Sequence, residues 1–586
     1  MDTQLTPTET LHPDRSDMNS VVLAVVGVAM MVLGYVLYSK FLARRVYKLQ
    51  DSFVTPAHEL GDGVDYVPTN KYVLWGHHFT SVAGAAPIVG PAIAVIWGWV
   101  PAFLWVTIGT VFFAGVHDLG ALWASSRHKG KSIGSLSGQY IGHRGRNLFL
   151  VVIFLVLLMV NAAFAVVISG LLVNTPTAVI PTWGAIVVAL LIGQAIYRLK
   201  WSLPLVSVIG VVALYALILV GDRVPVVLPE TVLGLSANAF WIVVLFLYAG
   251  VASVLPVWLL LQPRDYINGL QLFIALGILY GAVLISAPTV VAPAFNDSLP
   301  EGTPSIVPLL FVTIACGAIS GFHGIVASGT SSKQLDKEPD ARFVGYFGAV
   351  GEGLLALGAI IATTAGFRTI ADWEAVYSAF GQGGVAAFID GGAAIVNQGL
   401  GIPAGLSATI LATMAILFAA TTMDTGIRLQ RFVVQEAAHI VGFSLNKALA
   451  TVIVLAVAMG LTFGAGGDGS GGMLIWPLFG TTNQLLAGLT LSIIAVILLR
   501  KGRPVLPVLV PLVFLLVMSV YALIVQMGEF WATENWLLLV LDVIILIAAV
   551  WVIFESAIVM SRARKSPPEL DEDAMEGAAP GKRSSR

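Results

Sequence analysis

The sequence predicts an all-α polytopic membrane protein of about 15 transmembrane helices, with a 5+5 inverted-repeat core and accessory helices. Three observations predict it. First, 57% of the 586 residues are hydrophobic and only 11% are charged, whereas soluble domains carry about 25% charged residues. Second, 15 hydrophobic runs approach the length of about 20 residues that spans a bilayer. Third, Lys and Arg fall on alternate loops between those runs.

The hydrophobic runs define the predicted spans in chain order. These are 21–42, 76–97, 101–125, 148–172, 181–199, 203–220, 239–262, 267–290, 306–330, 343–366, 404–420, 447–464, 473–499, 505–527 and 536–559. The Gly-rich piece 385–400 is short for a span, so we interpret it as a re-entrant or surface segment.

The loop charges predict the orientation. If the first span runs from outside to inside, all but three of the 31 Lys and Arg residues lie in cytoplasmic loops or the C-terminal tail, and the exceptions are Arg15, Arg223 and Arg368. An excess of Lys and Arg marks cytoplasmic loops. The N-terminus is therefore expected outside and the C-terminus inside a bacterial inner (plasma) membrane. The polar N-terminal residues lack the pattern of a cleavable signal peptide.

Each half of the predicted core contains five spans. Because five is an odd number, the two halves are expected to be repeats of opposite orientation in the membrane. The predicted organisation is a polar N-terminal extension (1–20), an accessory helix with a cytoplasmic loop (21–75), a first repeat (76–220), a second repeat (239–431), accessory C-terminal helices (447–559) and a disordered cytoplasmic tail (560–586).

Two hydrophobic segments contain residues that interrupt helices. The first extends from Trp75 to Trp99 and the second from Phe240 to Gln262. Interrupted spans in matching halves point to a transporter binding site, because half-helix ends offer free N–H and carbonyl groups. Packing kinks are the alternative, since Gly and Pro are common in membrane helices. The candidate substrate ligands are Ser81, Gly84, Ala85, Pro87, Gly90, Ala252, Ser253 and Pro256, with Thr421 and Thr422 as further cavity-facing hydroxyls.

Span 306–330 carries small and hydroxyl residues at spacings of 4, 3, 4, 4 and 3, which is typical of one helix face. The stripe consists of Thr313, Gly317, Ser320, Gly324, Ser328 and Ser331, with His323 beside it. It predicts either close helix packing or a cation site shared with the first broken helix. His77 and His78 lie near the start of that helix. They are expected to relay protons, or, in the alternative, at least one of them is simply solvated.

Carboxylates within membrane spans are functional candidates because burying their charge is costly. Asp118 and Glu352 are candidates for ion coupling or gating. Asp424 is a further candidate, although Arg428 lies four residues on and predicts a helix-spaced ion pair. No ligand spacing predicts a metal site, and the single Cys316 excludes a disulfide within the chain.

Six stretches together resemble the carbon-starvation protein A family of bacterial inner-membrane transporters. They are DYVPTNKYVLWGHHFTSVAGAAPIVGPAIA (65–94), HDLGALWASSRHKGKSIG (117–134), ASVLPVWLLLQPRDYIN (252–268), CGAISGFHGIVASGTSSKQLDKE (316–338), TTMDTGIRLQR (421–431) and IWPLFGTTNQLLA (475–487). The resemblance implies a nutrient carrier of the carbon-starvation response. It further implies uptake of pyruvate with protons or of peptides, and a LeuT/APC-like 5+5 inverted-repeat fold.

The expected function is secondary active import of a small carboxylate-bearing nutrient by symport. The sequence has no nucleotide-binding P-loop, so an ion gradient is the expected energy source, with no cofactor and with H⁺ or Na⁺ as the coupling ion. The expected partners are the small-molecule substrate and the lipid bilayer, without nucleic acid. A channel, a membrane-embedded enzyme and a nutrient sensor remain alternatives.

Overall fold

The computed structural model describes residues 18–440, 442–464, 466–469 and 471–565. Residues 1–17 and 566–586, on which most of the predicted polar extension and the predicted disordered tail fall, lie outside the described residues.

The described chain is mainly helical. Its helices up to residue 286 are α1 Ser20–Leu33, α2 Ser39–Phe41, α3 Pro56–Glu59, α4 Lys71–Ala83, α5 Ala86–Ala94, α6 Trp99–Gly109, α7 Gly115–Ser126, α8 Ile133–Tyr140, α9 His143–Asn174, α10 Val179–Tyr197, α11 Leu203–Arg223, α12 Ala237–Val254 and α13 Leu261–Ser286. A two-stranded antiparallel hairpin, β1 Thr231–Val232 and β2 Leu235–Ser236, joins α11 to α12.

The remaining helices follow without another strand in the described residues. They are α14 Ile306–Thr313, α15 Ala315–Ala318, α16 Gly321–Gly329, α17 Phe347–Ala365, α18 Ile370–Val376, α19 Gly384–Leu400, α20 Ala404–Ile440, α21 Lys447–Phe463, α22 Gly471–Leu474, α23 Trp476–Arg500, α24 Leu506–Ala532 and α25 Trp536–Lys565. Short π-helical turns extend several spans, which gives continuous rods such as Ser20–Val46, Trp99–Ser126 and Arg342–Ala365.

Most of the predicted spans are present. The described residues contain 12 helices long and apolar enough to cross a membrane, or 13 if the bent pair α4 and α5 forms one span. Each predicted span coincides with one of these, apart from 306–330 and 447–464. The latter is the continuous but shorter apolar helix α21. The predicted total of 15 spans is therefore not confirmed.

The first predicted break is present, at Gly84. Helix α4 ends at Ala83, α5 begins at Ala86, and the two are bent by 45°. Gly84 has φ +57° and ψ −155°, a conformation that is close to glycine-only. Pro87 lies in the first turn of α5, where its missing N–H costs no helical hydrogen bond.

The second predicted break is wrong. Helix α12 is continuous from Ala237 to Val254, so Gly250 lies inside it. Pro256 follows the end of the helix, where proline is common, and lies in the short connection to α13. The apolar residues of that connection made the sequence look like one interrupted span.

Span 306–330 contains the second break instead. It forms the short helices α14, α15 and α16, with Ile319 and Ser320 extended between the last two. The predicted stripe on one continuous helix face is therefore wrong, because its spacing crosses two interruptions.

The two broken segments pack against each other in opposite directions. At one end, Nδ1 of His78 lies 2.9 Å from Oγ of Ser331. At the other end, Gly90 is so close to the second segment that a Cβ there would lie 2.3 Å from the carbonyl oxygen of Thr313. The residue numbers rise along one segment while they fall along the other, so the segments are antiparallel.

Segment 384–400 forms the helix α19, which packs against α5, α13, α17 and α20. Phe388, Ile395 and Val396 on it are buried, so the surface interpretation is wrong. The most enclosed of the long described helices is α23, in which 94% of an 18-residue apolar stretch is buried. It contacts α7, α9 and α16. It therefore belongs to the packed centre, although the sequence assigned it to the accessory helices.

Candidate functional site

Four titratable side chains form a buried row beside the second break, here called the histidine cluster: His117, Asp118, His323 and Glu352. Nδ1 of His117 lies 2.8 Å from Oδ1 of Asp118, and Nδ1 of His323 lies 2.8 Å from Oδ2 of the same carboxylate. Nε2 of His323 lies 3.0 Å from Oε2 of Glu352. All four side chains are at most 2% exposed.

Three separate elements bring the histidine cluster together. Helix α7 supplies His117 and Asp118, α16 supplies His323 immediately after the break, and α17 supplies Glu352. Gly324 allows the close approach of α16 to α7, since a Cβ there would lie 3.2 Å from Cε1 of His117. The sequence predicted Asp118, His323 and Glu352 one by one as coupling candidates, and the structure places them in direct contact.

The histidine cluster has the chemistry of a proton-transfer chain. Each imidazole can donate a hydrogen bond through one ring nitrogen and accept one through the other. At the two ends of the row, Nε2 of His117 and Oε1 of Glu352 are buried without a hydrogen-bond partner among the described residues.

A second buried group, here called the arginine cluster, consists of His77, Tyr248, Arg264, Asp265 and Asp424. Arg264 donates from Nε and Nη2 to Oδ1 of Asp265, at 3.0 and 2.6 Å. It also donates from Nη2 to Oδ1 of Asp424 at 3.1 Å and from Nη1 to Oδ2 of the same residue. Nδ1 of His77 lies 2.7 Å from Oδ2 of Asp265.

The arginine cluster corrects two predictions. Asp424 pairs with Arg264 and not with Arg428, whose guanidinium donates to the carbonyls of Ala252 and Leu255. The predicted solvation of at least one histidine at the start of the first broken segment is also wrong, because His77 and His78 are both 0% exposed.

The predicted substrate residues on the first broken segment lie at or near its break. Ser81 Oγ lies 3.4 Å from Oδ2 of Asp265 and 3.3 Å from Oγ1 of Thr425. Thr422 donates to the carbonyl of Ser81 at 3.1 Å. Gly84 and Ala85 form the break itself, and Pro87 and Gly90 lie in α5.

The predicted residues on α12 have structural contacts. Ser253 Oγ donates to the carbonyl of Gly250 at 2.8 Å, and the carbonyl of Ala252 accepts from Arg428 at 3.2 Å. Pro256 lies outside the helix. The hydroxyl of Thr421 accepts from Nδ2 of Asn268 at 3.3 Å, which joins α20 to α13.

The hydroxyls of the second broken segment differ in their surroundings. Oδ1 of Asn483 on α23 accepts from Phe322 N at 2.8 Å and from Ser320 Oγ at 3.3 Å, so this amide caps the start of α16. Ser328 donates to the carbonyl of Gly324 and accepts from the backbone of Ile133, which is a packing role. Ser331 contacts His78, as described above.

Sequence reasoning missed Arg264, Asp265, Tyr248 and Asn483. Arg264 is expected from sequence in a cytoplasmic loop, whereas Arg264 and Asp265 both lie buried near the start of α13. The signal was present in the adjacent opposite charges that follow a long apolar run. No group of three or more His, Cys, Asp or Glu side chains in the described part of the chain could hold a metal ion.

A comparison with protein families identifies the family of this chain. The family model described as carbon starvation protein CstA matches residues 19–371 and 367–522. The chain belongs to this carbon starvation protein family. With 12 candidate spans among its described residues, it is an integral membrane transporter.

Curated members of the CstA family cover most of the chain. It is 34% identical over 566 residues to the peptide transporter CstA of Helicobacter pylori, covering 84% of this chain and 79% of that one. It is 32% identical over 563 residues to the peptide transporter CstA of Bacillus subtilis, covering 88% and 91%. It is 30% identical over 584 residues to the pyruvate/proton symporter BtsT of Escherichia coli, covering 86% and 81%.

Among solved structures, the chain is similar to the manganese transporter of Eremococcus coleocola. The sequence identity is 11%, the TM-score is 0.45, and the match covers 86% of this chain and 99% of that one.

Proposed function

We propose that this chain is a secondary active importer of a small carboxylate-bearing nutrient, pyruvate or short peptides, by proton symport in the carbon-starvation response. The observation that carries the proposal is the histidine cluster, buried beside the break in the second broken segment. The names of the relatives, a pyruvate/proton symporter and several peptide transporters, support the same substrate class.

The break at Gly84 is the proposed place of the substrate. The N-terminus of α5 faces it and carries a partial positive charge, which suits a carboxylate. Ser81 and Thr422 bring hydroxyl groups to the same point. Interrupted backbone inside a membrane is tolerated where it is buried in protein or lines a cavity.

The histidine cluster is the proposed coupling site. A proton that enters the row neutralises one of two buried carboxylates, which changes the electrostatic attraction between α7, α16 and α17. Because α7, α16 and α17 surround the second break, protonation of the histidine cluster is linked to opening of the transport path. A pyruvate anion that enters with one proton moves no net charge across the membrane, so the pH gradient drives its uptake, and one pH unit, worth about 1.4 kcal/mol, supports roughly ten-fold accumulation.

The inverted repeat is proposed with new boundaries. The repeats open with the broken segments 71–97 and 306–329, and α12 and α13 are an inserted pair between them. An inserted pair leaves the opposite orientation of the repeats unchanged. In each repeat the long helix, α9 with 32 residues and α20 with 37, packs against the other. This arrangement gives a LeuT/APC-like 5+5 core that includes α23.

The proposed location is the bacterial inner membrane, with the N-terminus outside and the C-terminus in the cytoplasm. The loop charges support it. On this orientation Lys71 lies inside, α4 and α5 run outward, and the second broken segment returns inward to Lys333. Chemical catalysis is not part of the proposal.

The test is uptake of radiolabelled pyruvate and of labelled dialanine into proteoliposomes with imposed proton or sodium gradients. We expect saturable accumulation of at least one compound that follows the proton gradient, is abolished by a protonophore and returns the compound unchanged. Sodium-driven uptake that ignores the proton gradient would contradict proton coupling. Non-saturable flux would indicate a channel, and neither compound being carried would refute the substrate class.

A further inference from the structure

We propose that a cavity on the cytoplasmic side of the chain binds a zwitterionic amino acid with an aliphatic side chain, and that the bound amino acid slows transport. The cavity lies between α8, α9, α20 and the inner end of the second broken segment. Binding itself does not depend on the proposed function. The side of the membrane and the effect on uptake rest on it.

The cavity has an apolar wall. Its volume of about 290 Å³ is close to the lower limit of small-molecule sites, about 300 Å³. Helices α9, α16 and α20 together supply the apolar lining, which consists of Leu150, Ile153, Ile325, Leu429 and Val433. Each of these side chains is at most 8% exposed. An aliphatic group that enters the cavity is therefore removed from water, which is favourable.

Two side chains of opposite charge, Lys333 and Glu436, line the same cavity. Lys333 follows Ile325 along the second broken segment, and Glu436 follows Leu429 along α20. Both segments run toward the cytoplasm in the proposed orientation, so the two charges lie on the cytoplasmic side of the apolar wall. The cavity thus has an apolar inner part and a mouth with one positive and one negative group.

A third charged group at the cavity, Lys131, already has a partner. Its ammonium donates to Oε1 of Gln139 at 3.2 Å. By contrast, the side chains of Lys333 and Glu436 form no hydrogen bond or ion pair in the part of the chain that the structure describes. Their charged atoms are therefore available to a ligand.

The surroundings of Lys333 leave room for an anionic group. Its ammonium lies 5.4 Å from the ring centroid of Tyr66 and 5.6 Å from that of Phe432, and such ring contacts use none of its three N–H donors. The carboxylates of Asp65 and Asp62 act on it only from a distance, and burial lowers the pKa of Lys333. A ligand carboxylate in direct contact would stabilise its charged form.

Glu436 is close enough to Lys333 for one small ligand to contact both. It lies four residues after Phe432, so the two side chains are neighbours on one face of α20, with Cβ atoms about 5–6 Å apart. The basic group that acts on Glu436 from a distance is Arg146, which does not line the cavity. A ligand placed over the Phe432 ring can therefore offer a carboxylate to Lys333 and an ammonium to Glu436.

These features together select the chemical class of the ligand. A simple carboxylate such as pyruvate pairs with Lys333 but is repelled by Glu436, and a simple amine has the reverse problem. A free amino acid satisfies both groups at once, while an aliphatic side chain fills the apolar part. The ligand is therefore distinct in charge from the pyruvate of the proposed transport reaction.

The position of the cavity explains how its ligand acts on transport. Lys333 belongs to the second broken segment, which also carries His323, whereas Glu436 belongs to α20. A ligand that joins the two side chains holds the inner end of the broken segment against α20. Because a ligand shifts a protein toward the conformation that binds it better, the bound amino acid opposes movement of this segment.

The first experiment measures binding of L-valine to the purified full-length protein by titration calorimetry. Two compounds each lack one charge of valine: 3-methylbutanoate has no ammonium, and isobutylamine has no carboxylate. We expect saturable binding of valine and at least ten-fold weaker binding of both relatives, because each loses a charge-assisted hydrogen bond. Equal binding of the three compounds, or no saturable binding of valine, overturns the inference.

Charge-removing variants assign the binding to the cavity. Lys333→Gln and Glu436→Gln are each expected to weaken valine binding about ten-fold. Glu436→Gln removes a repulsion and is expected to strengthen binding of 3-methylbutanoate, a change of opposite sign that a loss of folding cannot produce. Lys337→Gln, at an exposed position four residues after Lys333, is the matched control and should bind valine as the wild type does. Unchanged valine affinity in both cavity variants overturns the assignment.

The second experiment measures the effect on uptake in right-side-out membrane vesicles loaded with valine. The initial rate of pyruvate or dialanine uptake is expected to fall at least two-fold, and Lys333→Gln should remove this inhibition while its rate without valine stays within about two-fold of wild type. Undiminished uptake at valine concentrations that saturate the cavity refutes the regulatory role. If wild-type vesicles carry neither compound, the proposed function fails, and the calorimetric result still decides whether the cavity binds an amino acid.

Discussion

His323 and Asp118 are in contact although 205 residues separate them in sequence: Nδ1 of the histidine lies 2.8 Å from Oδ2 of the carboxylate. This contact fixes the half-helix after the second break to α7, and the other ring nitrogen of His323 faces Glu352. A single imidazole thus bridges two buried carboxylates. Any change in its protonation alters both attractions at once, which is the proposed physical basis for coupling a proton to movement of the broken segment.

Glu352→Gln is expected to separate exchange from accumulation. The amide keeps the size of the side chain and cannot take up a proton, so proton-driven pyruvate uptake should fall at least ten-fold. Exchange of internal for external pyruvate needs no net proton movement and should persist. Both rates are measured in the same proteoliposomes.

The matched control for that variant is Glu374→Gln, since Glu374 is exposed on α18. It should leave both rates unchanged. Normal proton-driven accumulation by the Glu352→Gln protein would remove this carboxylate from the coupling site.

Gly84→Ala is expected to abolish transport and to lower the free energy of unfolding by about 1–3 kcal/mol, the usual cost of a strained backbone. The backbone at φ +57° does not suit a side chain, and the added Cβ would lie 2.4 Å from Phe164 Cε2 and 2.8 Å from Thr422 Oγ1. Gly277→Ala on α13 is the control, because nothing lies within 4 Å of its Cβ position. Heat denaturation in detergent gives the stabilities, and a wild-type melting curve for Gly84→Ala would disprove the strain.

Arg264 and Asp424 are expected to be energetically coupled. Arg264→Gln leaves two buried carboxylates without their counter-ion and should cost about 3–5 kcal/mol. Addition of Asp424→Asn should cost less than the sum of the two single changes, with a coupling energy of about 1–3 kcal/mol in a double-mutant cycle. Additive losses would argue against the ion pair.

An exposed ion pair provides the comparison for that cycle. Nζ of Lys129 lies 2.7 Å from Oε1 of Glu59, with side chains 64% and 43% exposed. Its loss through Lys129→Gln is expected to change stability by less than about 1 kcal/mol.

Single introduced cysteines are expected to report the orientation of the chain. An impermeant maleimide should label Val227→Cys, in the exposed loop after α11, in intact cells. It should label Lys337→Cys, which follows the second broken segment, only after permeabilisation. The native Cys316 is buried, so background labelling should be low. The reverse pattern would invert the proposed topology.

Hydropathy predicted where most spans lie, because apolar length is a property of local sequence. The sequence also located the break at Gly84, because the interruption of a helix by Gly and Pro is likewise a property of local sequence. It misplaced the second break because the connection from Leu255 to Leu260 is as apolar as a helix. It also missed the interruption at Ile319–Ser320, where no proline marks it.

The sequence predicted which regions hold the candidate site better than it predicted which side chains contact each other there. Asp118, His323 and Glu352 each attracted attention as titratable groups in apolar runs, but nothing local shows that they touch. The pairing of Arg264 with Asp424 joins residues 160 positions apart. The nearer Arg428 offered a plausible helical pair, and tertiary packing gave it a different partner.

The measurement that tests the account most directly is the proton flux that accompanies pyruvate entry. Proteoliposomes that contain a pH-sensitive dye and no sodium are mixed with pyruvate, and protein-free liposomes correct for diffusion of the undissociated acid. The account predicts saturable acidification of the lumen in step with pyruvate uptake, and loss of that signal in Glu352→Gln. Pyruvate entry without matching acidification, or entry that requires sodium, would contradict it.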